Sequence, residues 1–349
     1  MANDVLGEKK FSEINVNDSF FDDLRVRYRG FNEWFLKKSK ANEKALTVFD
    51  GDKLIAFLYL KTEEGDDDTI DPDISTYKKR LKVGTFKVES HGTVLGNRLI
   101  SFLLHRFIEG NYDACYVTMY DNLEYLKDLF TRYGFRQYGV RRDTGETVLV
   151  RDLAVMETIS KNFPRFNLLG TKYLLSILPK FHTALFPESR LNNEGAFKTE
   201  DVSETNSIEK TYLTNMREVR NACSGDKLII YRTANGGSAE YTSVATSVCT
   251  VTDNRDISEF TSFEAFKAYV TKQSIFSETE LRDFWQNRRY PIILRFQYDV
   301  ALKHRVNRHD LIEICGLDRN GYPGFMALDN AVFSNVLREG RLNESFIID

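Results

Sequence analysis

Residues 84 to 135 constrain the fold more than any other segment, because they alternate between the patterns of strands and of helices. The apolar run Leu81 to Val88 is followed by a short loop with glycines and by a helical pattern that stops at Gly110. A second run, Ala114 to Tyr120, leads into a helical pattern that stops at Gly134. This order predicts an α/β domain.

The spacing of apolar residues predicts how these elements are buried. In LGNRLISFLLHRFIEG, leucine, isoleucine and phenylalanine recur at helical spacing over a broad face, which predicts a helix packed on much of its surface. The run ACYVTMY is almost continuously apolar, as expected for a strand that is covered on both faces.

The segments around this core also carry local signals. Residues 19 to 39 mix apolar and basic positions at helical spacing, and Asp50-Gly51 between two β-rich runs predicts a hairpin. The acidic stretch 63 to 73 is read as a solvated loop, with a cation site as the alternative. Two strands are expected on either side of the turn at residues 143 to 145.

Length and composition predict two domains. The chain has 349 residues, against roughly 100–200 per domain. Its 26 phenylalanines and 17 tyrosines supply material for two cores. We place the domains at residues 1–155 and 156–349. The net charge of -3 argues against a general polyanion binder, although a local basic patch remains compatible with a specific nucleic-acid site.

The second half is predicted to be rich in β-structure. Residues 188 to 207 have few large apolar groups and many turn formers, so we expect a flexible loop. The runs KLIIYRT, SVATSVCTV and PIILRFQYDV then predict strands. Helices are expected near 262–272, 277–286 and 329–338.

Cysteine usage and apolar runs suggest a cytoplasmic protein with no metal and no membrane association. The four cysteines are far apart and show no CxxC spacing, so we predict no metal site. The first residues, MANDVLGEKKF, are too polar for a signal peptide, and no apolar run approaches the roughly 18–20 residues that span a bilayer.

The loop before the first long helix is a candidate phosphate site. A loop that leads into a helix presents unpaired N–H groups and the positive end of the helix dipole. Such a site binds phosphate without a basic side chain. The alternative is an ordinary turn between a strand and a helix that happens to contain two glycines.

The run TFKVESHGTVLGNRLISFLL resembles the coenzyme A-binding segment of GNAT acetyltransferases, and CYVTMYDNLEYLKDLFTRYGF resembles the downstream strand and helix of that family. The resemblance covers about residues 10 to 153. It implies a mixed-sheet GNAT fold and acetyl-CoA as co-substrate. It also implies that Val88 pairs with the pantetheine arm and that backbone amides hold the pyrophosphate, at Gly92, Thr93, Val94, Leu95, Gly96 and Asn97.

The sequence departs from the family pattern at three positions. His91 stands where the family has arginine or glutamine, and Val94 replaces the middle glycine of the loop. Phe130 stands where the family often has a tyrosine that protonates the departing thiolate. Phenylalanine cannot donate a proton. The departing thiolate is therefore protonated by another group or by the solvent, or the domain is a weak or inactive catalyst.

Candidate catalytic residues follow from position and chemistry. Glu89 and His91, after the central strand, are candidate bases for the attacking amine. Tyr120 and Tyr133 are candidate proton donors, with packing in the core as the alternative role. Cys115 lies in an apolar strand with no evident histidine partner, which favours direct transfer over a covalent relay.

The second half resembles PUA-like domains of the ASCH or EVE type, on the pieces LPKFHTALFPE, SGDKLIIYRT and YPIILRFQYDV over about residues 170 to 340. The resemblance implies a β-rich barrel that binds RNA or single-stranded DNA through aromatic and cationic side chains. The candidates are Tyr231, Arg232, Trp285, Arg288, Arg289 and Tyr290. The alternative for the WQNRRYP cluster is a helix-to-strand junction with a packed tryptophan and solvated arginines.

These observations predict an acetyl-CoA-dependent N-acetyltransferase whose acceptor amine belongs to a nucleic-acid-associated substrate, an aminoacyl-tRNA or a modified base. Such pairing is similar to toxin-type GNAT enzymes, which implies an antitoxin or other protein partner. A small-molecule or protein amine is the alternative acceptor. The alternative class is a catalytically degenerate protein that binds coenzyme A or reads nucleic acid.

Overall fold

The computed structural model describes residues 4–89, 94–187, 189, 206–271, 275–321 and 324–348. Its contacts divide the chain into two compact units. The first comprises residues 1–103 and 110–154, and the second comprises residues 104–109 and 155–349. The chain has an α/β first unit with a mixed sheet and a β-rich second unit.

The first unit contains the predicted alternation of strands and helices. Its strands are β1 (Asp4–Lys10), β2 (Lys44–Asp50), β3 (Lys53–Glu64), β4 (Ile70–Asp71), β5 (Lys79–Val88), β6 (Ala114–Met119), β7 (Arg136–Arg141) and β8 (Thr147–Asp152). Its helices are α1 (Asp22–Arg27), α2 (Phe31–Lys40), the first part of α3 (Leu95–Glu109) and α4 (Glu124–Arg132).

The described strands of this unit form one sheet in the order β1-β2-β3-β5-β6-β8-β7-β4. The β5–β6 pair is parallel, with α3 as the connection between its strands. Every other described neighbour pair is antiparallel. A parallel pair at the centre of an otherwise antiparallel sheet is consistent with the GNAT fold that the sequence implied.

Aromatic side chains form one side of the core of this unit. Phe11, Phe21 and Phe35 pack with Phe57 of β3, and their ring centroids lie between 4.8 and 6.4 Å apart. Edge-to-face packing of this kind adds to the hydrophobic free energy of burial. With Ala45 of β2 and Leu24 of α1, which belong to the same cluster, these rings join the α1–α2 segment to β2 and β3.

The predicted burial of α3 and β6 is confirmed. Leu99, Leu103 and Phe107 of α3 are fully buried, as are Cys115 and Tyr116 of β6. The near-continuous apolar pattern of β6 therefore reflects a strand covered on both faces.

Several local predictions for this unit need correction. The helical region 19–39 is split, because Gly30 adopts a φ of 86° between α1 and α2. The acidic stretch 63–73 is not entirely a loop, since β3 continues to Glu64 and Ile70–Asp71 form β4. Gly96 lies in the first turn of α3 rather than in the turn before the helix.

The second unit is built mainly from strands. These are β9 (Phe166–Asn167), β10 (Lys172–Ile177), β11 (Glu209–Thr214), β12 (Lys227–Arg232), β13 (Val244–Asp256), β14 (Ile292–Asn307), β15 (Phe325–Leu328) and β16 (Ile347–Ile348). Its further helices are α5 (Ile159–Asn162), α6 (Pro179–Leu185), α7 (Ala239–Thr242), α8 (Phe263–Val270), α9 (Glu278–Asn287), α10 (Arg308–Glu313) and α11 (Asn330–Glu339).

Its described strands form a six-stranded sheet in the order β11-β14-β13-β12-β10-β15 and a small β9–β16 pair. The three predicted strands correspond to β12, β13 and β14, and the three predicted helices correspond to α8, α9 and α11. The long strand β14 carries Asp299, whose side chain is completely buried. Apart from residues 189, 206 and 207, the predicted flexible loop 188–207 lies outside the described residues.

None of the described helices combines the length and the apolar character needed to cross a membrane. Within the described ranges, no group of three or more histidine, cysteine, aspartate or glutamate side chains is arranged to hold a metal ion. All four cysteines are free thiols, and Cys223 alone among them is exposed.

Candidate active site

A β-bulge at Gly84 interrupts the central strand β5. Val83 pairs with Leu60 of β3 and Thr85 pairs with Tyr59, so Gly84 is the extra residue between them. A Cβ atom at Gly84 would lie 2.6 Å from the ring of Tyr59, which is itself buried. Glycine is therefore required here by a close approach, and the bulge increases the local twist of β5.

The parallel strands β5 and β6 separate just at this bulge. Their pairing runs from Arg80↔Ala114 to Val83↔Val117 and then stops, although β5 continues to Val88. Beyond the bulge, β5 is paired with β3 only, among the described strands. The edge of β5 that faces away from β3 is thus available to a ligand.

The register of β5 shows which backbone groups face that edge. The N–H of Glu89 donates to the carbonyl of Ile55 in β3 at 2.9 Å. Because backbone groups alternate in direction along a strand, those of Phe86 and Val88 point away from β3. Val88, the residue predicted to pair with a pantetheine arm, therefore presents its backbone toward the gap.

A cleft of about 810 Å³ opens where the two strands separate. Its walls are residues 83–89 of β5, residues 117–119 at the end of β6, and residues 122–126 at the start of α4. Side chains from the α1–α2 segment, among them Tyr28 and Trp34, close the opposite side. Concave sites of this size are typical of small-molecule and cofactor binding.

The N terminus of α3 lies beside the helix that lines this cleft. The first helical bond runs from the N–H of Arg98 to the carbonyl of Val94 at 3.0 Å, so the N–H groups of Gly96 and Asn97 have no i−4 acceptor within α3. A Cβ atom at Gly96 would lie 3.1 Å from Leu129 of α4. Glycine thus lets the two helices approach closely.

The predicted pyrophosphate site is only partly within the described residues. Leu95 and Gly96 are buried, Asn97 is half-buried, and the side chain of Val94 is 44% exposed. His91, Gly92 and Thr93 lie outside the described residues. The role predicted for residues 92–97 stays a prediction, and so does the role of His91 as a base.

Glu89 lies on the wall of the cleft, and its role as a base stays a prediction. Its carboxylate forms an ion pair with Lys53 at 2.8 Å, and its side chain is 37% exposed. Lys87, the next charged residue on this wall, pairs with Asp23 and lies over the ring of Phe20 at 5.1 Å. Burial lowers the pKa of Lys87 below its usual value.

The candidate proton donors are not on the cleft wall. Tyr133 is completely buried and its hydroxyl donates to Oδ1 of Asn97 at 3.3 Å, which holds the start of α3 to the end of α4. Tyr120 is half-buried, with its ring 5.6 Å from that of Tyr28. Both arrangements match the packing role that the sequence left as the alternative.

Phe130, at the position where the family often has tyrosine, is also buried. Its ring lies 5.3 Å from that of Phe86 and 4.8 Å from that of Phe135. Phe130 therefore supports the part of β5 that borders the cleft but supplies no proton. Cys115 is fully buried, and burial raises the pKa of its thiol, so it is not a nucleophile for a covalent relay.

The six predicted nucleic-acid contacts lie in two separate segments, residues 285–290 at and after the end of α9 and residues 231–232 in β12. Arg288 and Arg289 are exposed at the end of α9. Trp285 is half-buried, stacked on Phe266 with centroids 5.6 Å apart, and the Arg288 guanidinium lies 4.3 Å above its ring. Tyr290 packs edge-on against Phe284 at 4.9 Å.

Tyr231 and Arg232 instead belong to β12 and are not surface groups. Tyr231 is 2% exposed and Arg232 is 9% exposed. A ring buried to this degree offers no face for a base to stack on, so the prediction for Tyr231 requires correction. The charge of Arg232 contributes to a lowered pKa of about 3 at His182, after burial of the imidazole itself.

Three features of the site were not identified from the sequence. Gly84 is an isolated glycine within a strand pattern, and that signal alone predicts a bulge. Asn122 lines the cleft and accepts a hydrogen bond from Arg27 at 3.0 Å. Tyr28 and Glu146 are hydrogen-bonded partners that lie 118 residues apart, and no local pattern could have paired them.

No protein-family model matches the sequence, and no curated protein is significantly similar to it in sequence. Solved structures give distant matches. An N-acetyltransferase from Staphylococcus aureus Mu50 is 13% identical, with 44% of this chain and 100% of that chain covered and a TM-score of 0.33. Arabidopsis thaliana Naa50 in complex with a bisubstrate analogue is 14% identical, with 42% and 98% covered and a TM-score of 0.30.

A third match is an ASCH protein from Zymomonas mobilis, which is 10% identical, with 48% of this chain and 94% of that chain covered and a TM-score of 0.31. Each of these similarities covers less than half of this chain. They are too distant for an activity to be transferred from any of these proteins.

Proposed function

We propose that the first unit is an acyltransferase that moves the acetyl group of acetyl-CoA to an amine. The observation that carries this proposal is the separation of the parallel strands β5 and β6 after Val83, with a cleft of about 810 Å³ at that point. An extended chain with amide groups, such as pantetheine, fits an edge that presents backbone donors and acceptors without a partner strand.

The two ends of such a cofactor have matching groups in this chain. The backbone of Phe86 and Val88 faces the gap and is suited to the amides of the pantetheine arm. The N–H groups at the start of α3 are suited to a diphosphate, because a helix N terminus binds anions. Direct transfer is favoured, since the thiol of Cys115 is fully buried.

The finer proposal concerns the acceptor. We propose an amine of a nucleic-acid-associated substrate, an aminoacyl-tRNA or a modified base, which the second unit recruits as a PUA-like module. The end of α9 supports this proposal, because Arg288 and Arg289 are exposed beside the partly exposed rings of Trp285 and Tyr290. Cationic and aromatic groups together suit single-stranded nucleic acid.

Two measurements test the proposed function. Native mass spectrometry of the purified protein is expected to show retained coenzyme A. Incubation with labelled acetyl-CoA and separate pools of charged tRNA, DNA and total protein is expected to label the tRNA or DNA pool. Label in the protein pool alone would contradict the nucleic-acid acceptor, and the absence of both coenzyme A and label would contradict the acyltransferase.

A second function is favoured by the packing of Phe130 and Tyr133. Neither residue supplies a proton donor to the cleft, which is compatible with a protein that binds coenzyme A without catalysis. Retained coenzyme A without transfer to any pool would support this function, in which the first unit regulates or stabilises a nucleic-acid reader.

The nucleic-acid interface is tested best at Arg289. Its guanidinium is exposed, and its main contact in the structure is the Tyr290 ring at 5.5 Å. We expect Arg289→Ala to weaken binding of a single-stranded RNA oligonucleotide and to reduce the slope of log K against log salt by about 1. Trp285→Ala is a poorer test, because its ring also packs in the core of the second unit.

The matched control is Arg338→Ala, which removes an exposed arginine from α11. Fluorescence anisotropy at several salt concentrations measures both variants. Equal slopes for the wild type and Arg289→Ala would show that the end of α9 does not contact the nucleic acid.

A further inference from the structure

A carboxylate is nearly buried next to the cleft without a cation against it. Glu146, just before β8, is 5% exposed. Its Oε2 accepts a hydrogen bond from the hydroxyl of Thr144 at 2.9 Å, and its Oε1 accepts one from the hydroxyl of Tyr28 at 3.4 Å. Within the described part of the chain, no lysine, arginine or histidine forms an ion pair with it; the nearby Arg141 binds Asp143 instead.

Burial of a carboxylate without an adjacent cation is costly, and this cost is offset if a positive group arrives during function. Tyr28 connects Glu146 to the cleft, because the Tyr28 side chain lines the cleft while its hydroxyl donates to Glu146. Burial, and secondarily the charge of Glu146, hold the pKa of Tyr28 above its usual range. The hydroxyl therefore stays protonated at neutral pH and passes a proton on rather than acting as a phenolate.

We propose that the acceptor enters the cleft as an ammonium group, that the Tyr28 hydroxyl takes its proton, and that Glu146 acts through Tyr28 by accepting the hydroxyl proton. The inference rests on the proposed acyltransfer. The nitrogen lone pair so released attacks the thioester carbonyl and forms the C–N bond. When the C–S bond breaks, its electron pair leaves with sulfur, and the second proton lost by nitrogen neutralises the thiolate through solvent.

The charged and titratable groups around this pair come from three further elements. Arg27 of α1 lowers the pKa of Tyr28, and Tyr120 after β6 raises it. On the other side, Glu146 contributes to a raised pKa of Arg141 in β7, although the main cause is the hydrogen bond to Asp143. Glu89, the alternative base, is already neutralised by Lys53 and is more exposed than Glu146.

The test compares three variants, Glu146→Gln, Glu146→Asp and Tyr28→Phe, with the wild type. The assay measures transfer of labelled acetyl to charged total tRNA, or to total protein if the wild type labels only that pool. We expect Glu146→Gln and Tyr28→Phe to lower kcat by about 100-fold at pH 7, the typical contribution of acid–base catalysis. The deficit is expected to shrink at pH 9, because an α-amino group with a pKa of about 8 is then already neutral. Glu146→Asp is expected to restore part of the rate.

The controls separate this inference from the proposed function. Asp128→Asn changes an exposed carboxylate on α4 that is not part of the cleft wall, and it is expected to leave the rate and its pH profile unchanged. Affinity for coenzyme A should be unchanged in every variant. Full activity of Glu146→Gln, or an equal loss at pH 7 and pH 9, would overturn this inference alone. A wild-type protein that labels no pool would overturn both.

Discussion

Thr118→Trp is expected to abolish retention of coenzyme A and to lower acetyl transfer by more than about 100-fold, as for a misplaced reacting group. Thr118 comes directly after Val117, the last residue of β6 that pairs with β5, and it lines the cleft. An indole at this position would occupy the space between the separated strands. Native mass spectrometry detects the loss of the cofactor, and a labelled-transfer assay detects the loss of activity.

The control for this prediction is Thr131→Trp, which places the same side chain on an exposed position of α4 outside the cleft wall. It is expected to retain coenzyme A. Thermal denaturation should show that both variants remain folded. A folded Thr118→Trp protein that still carries stoichiometric coenzyme A would show that the cofactor does not lie between β5 and β6.

Asp299→Asn is expected to remove a pH-dependent contribution to the free energy of unfolding that amounts to as much as roughly 4 kcal/mol. Burial raises the pKa of Asp299 to about 7, although Gln297, Thr250 and the charge of Lys227 favour the ionised form. The folded state therefore binds this proton more tightly than the unfolded state, whose pKa is near 3.8. The contribution of Asp299 to stability is largest below about pH 4 and is lost as the pH rises to about 7.

Asparagine keeps the shape of the side chain but does not titrate. It accepts a hydrogen bond from Gln297 and donates one to Thr250, replacing the bonds that the carboxylate accepts at 2.7 and 2.6 Å. The free energy of unfolding of Asp299→Asn, relative to that of the wild type, is thus expected to rise between pH 5 and pH 8. Urea denaturation at both pH values measures this difference.

The free energy of unfolding of the variant is compared with that of the wild type at each pH, because His182 also makes stability depend on pH. Its contribution has the opposite sign and is the same in both proteins. Burial lowers the pKa of His182 to about 3, so its contribution is present above the unfolded value near 6.5 and is lost as the pH falls toward 3. Asp318→Asn, at an exposed position, serves as the control and should show no such change. A difference that is the same at pH 5 and pH 8 would show that Asp299 is ionised in the folded protein.

The periodic elements were predictable because their patterns follow from local geometry. The apolar spacing of α3, the continuous apolar run of β6 and the Asp50-Gly51 hairpin all appear where the sequence placed them. The strand β1 was missed, since DVLGEKK has little apolar alternation and is held by pairing with β2 at the sheet edge. Such an edge strand is stabilised by its neighbour rather than by its own pattern.

Burial of individual side chains was less predictable than the elements that carry them. Tyr133 and Tyr231 were candidates for function, yet both are packed in cores. A tyrosine in a strand or at a helix end has the same local signature whether its hydroxyl meets a neighbour or a ligand. Only the packing of distant segments around the ring decides between the two.

The sequence by itself determined the order of the strands and helices named above, because these elements depend on side-chain periodicity and turn chemistry. The tertiary structure decided where the site lies. The β5–β6 pairing ends at the bulge of Gly84, where the ring of Tyr59 from another strand leaves no room for a Cβ atom. The Tyr28–Glu146 pair likewise forms only when the sheet brings together segments that are far apart in the chain.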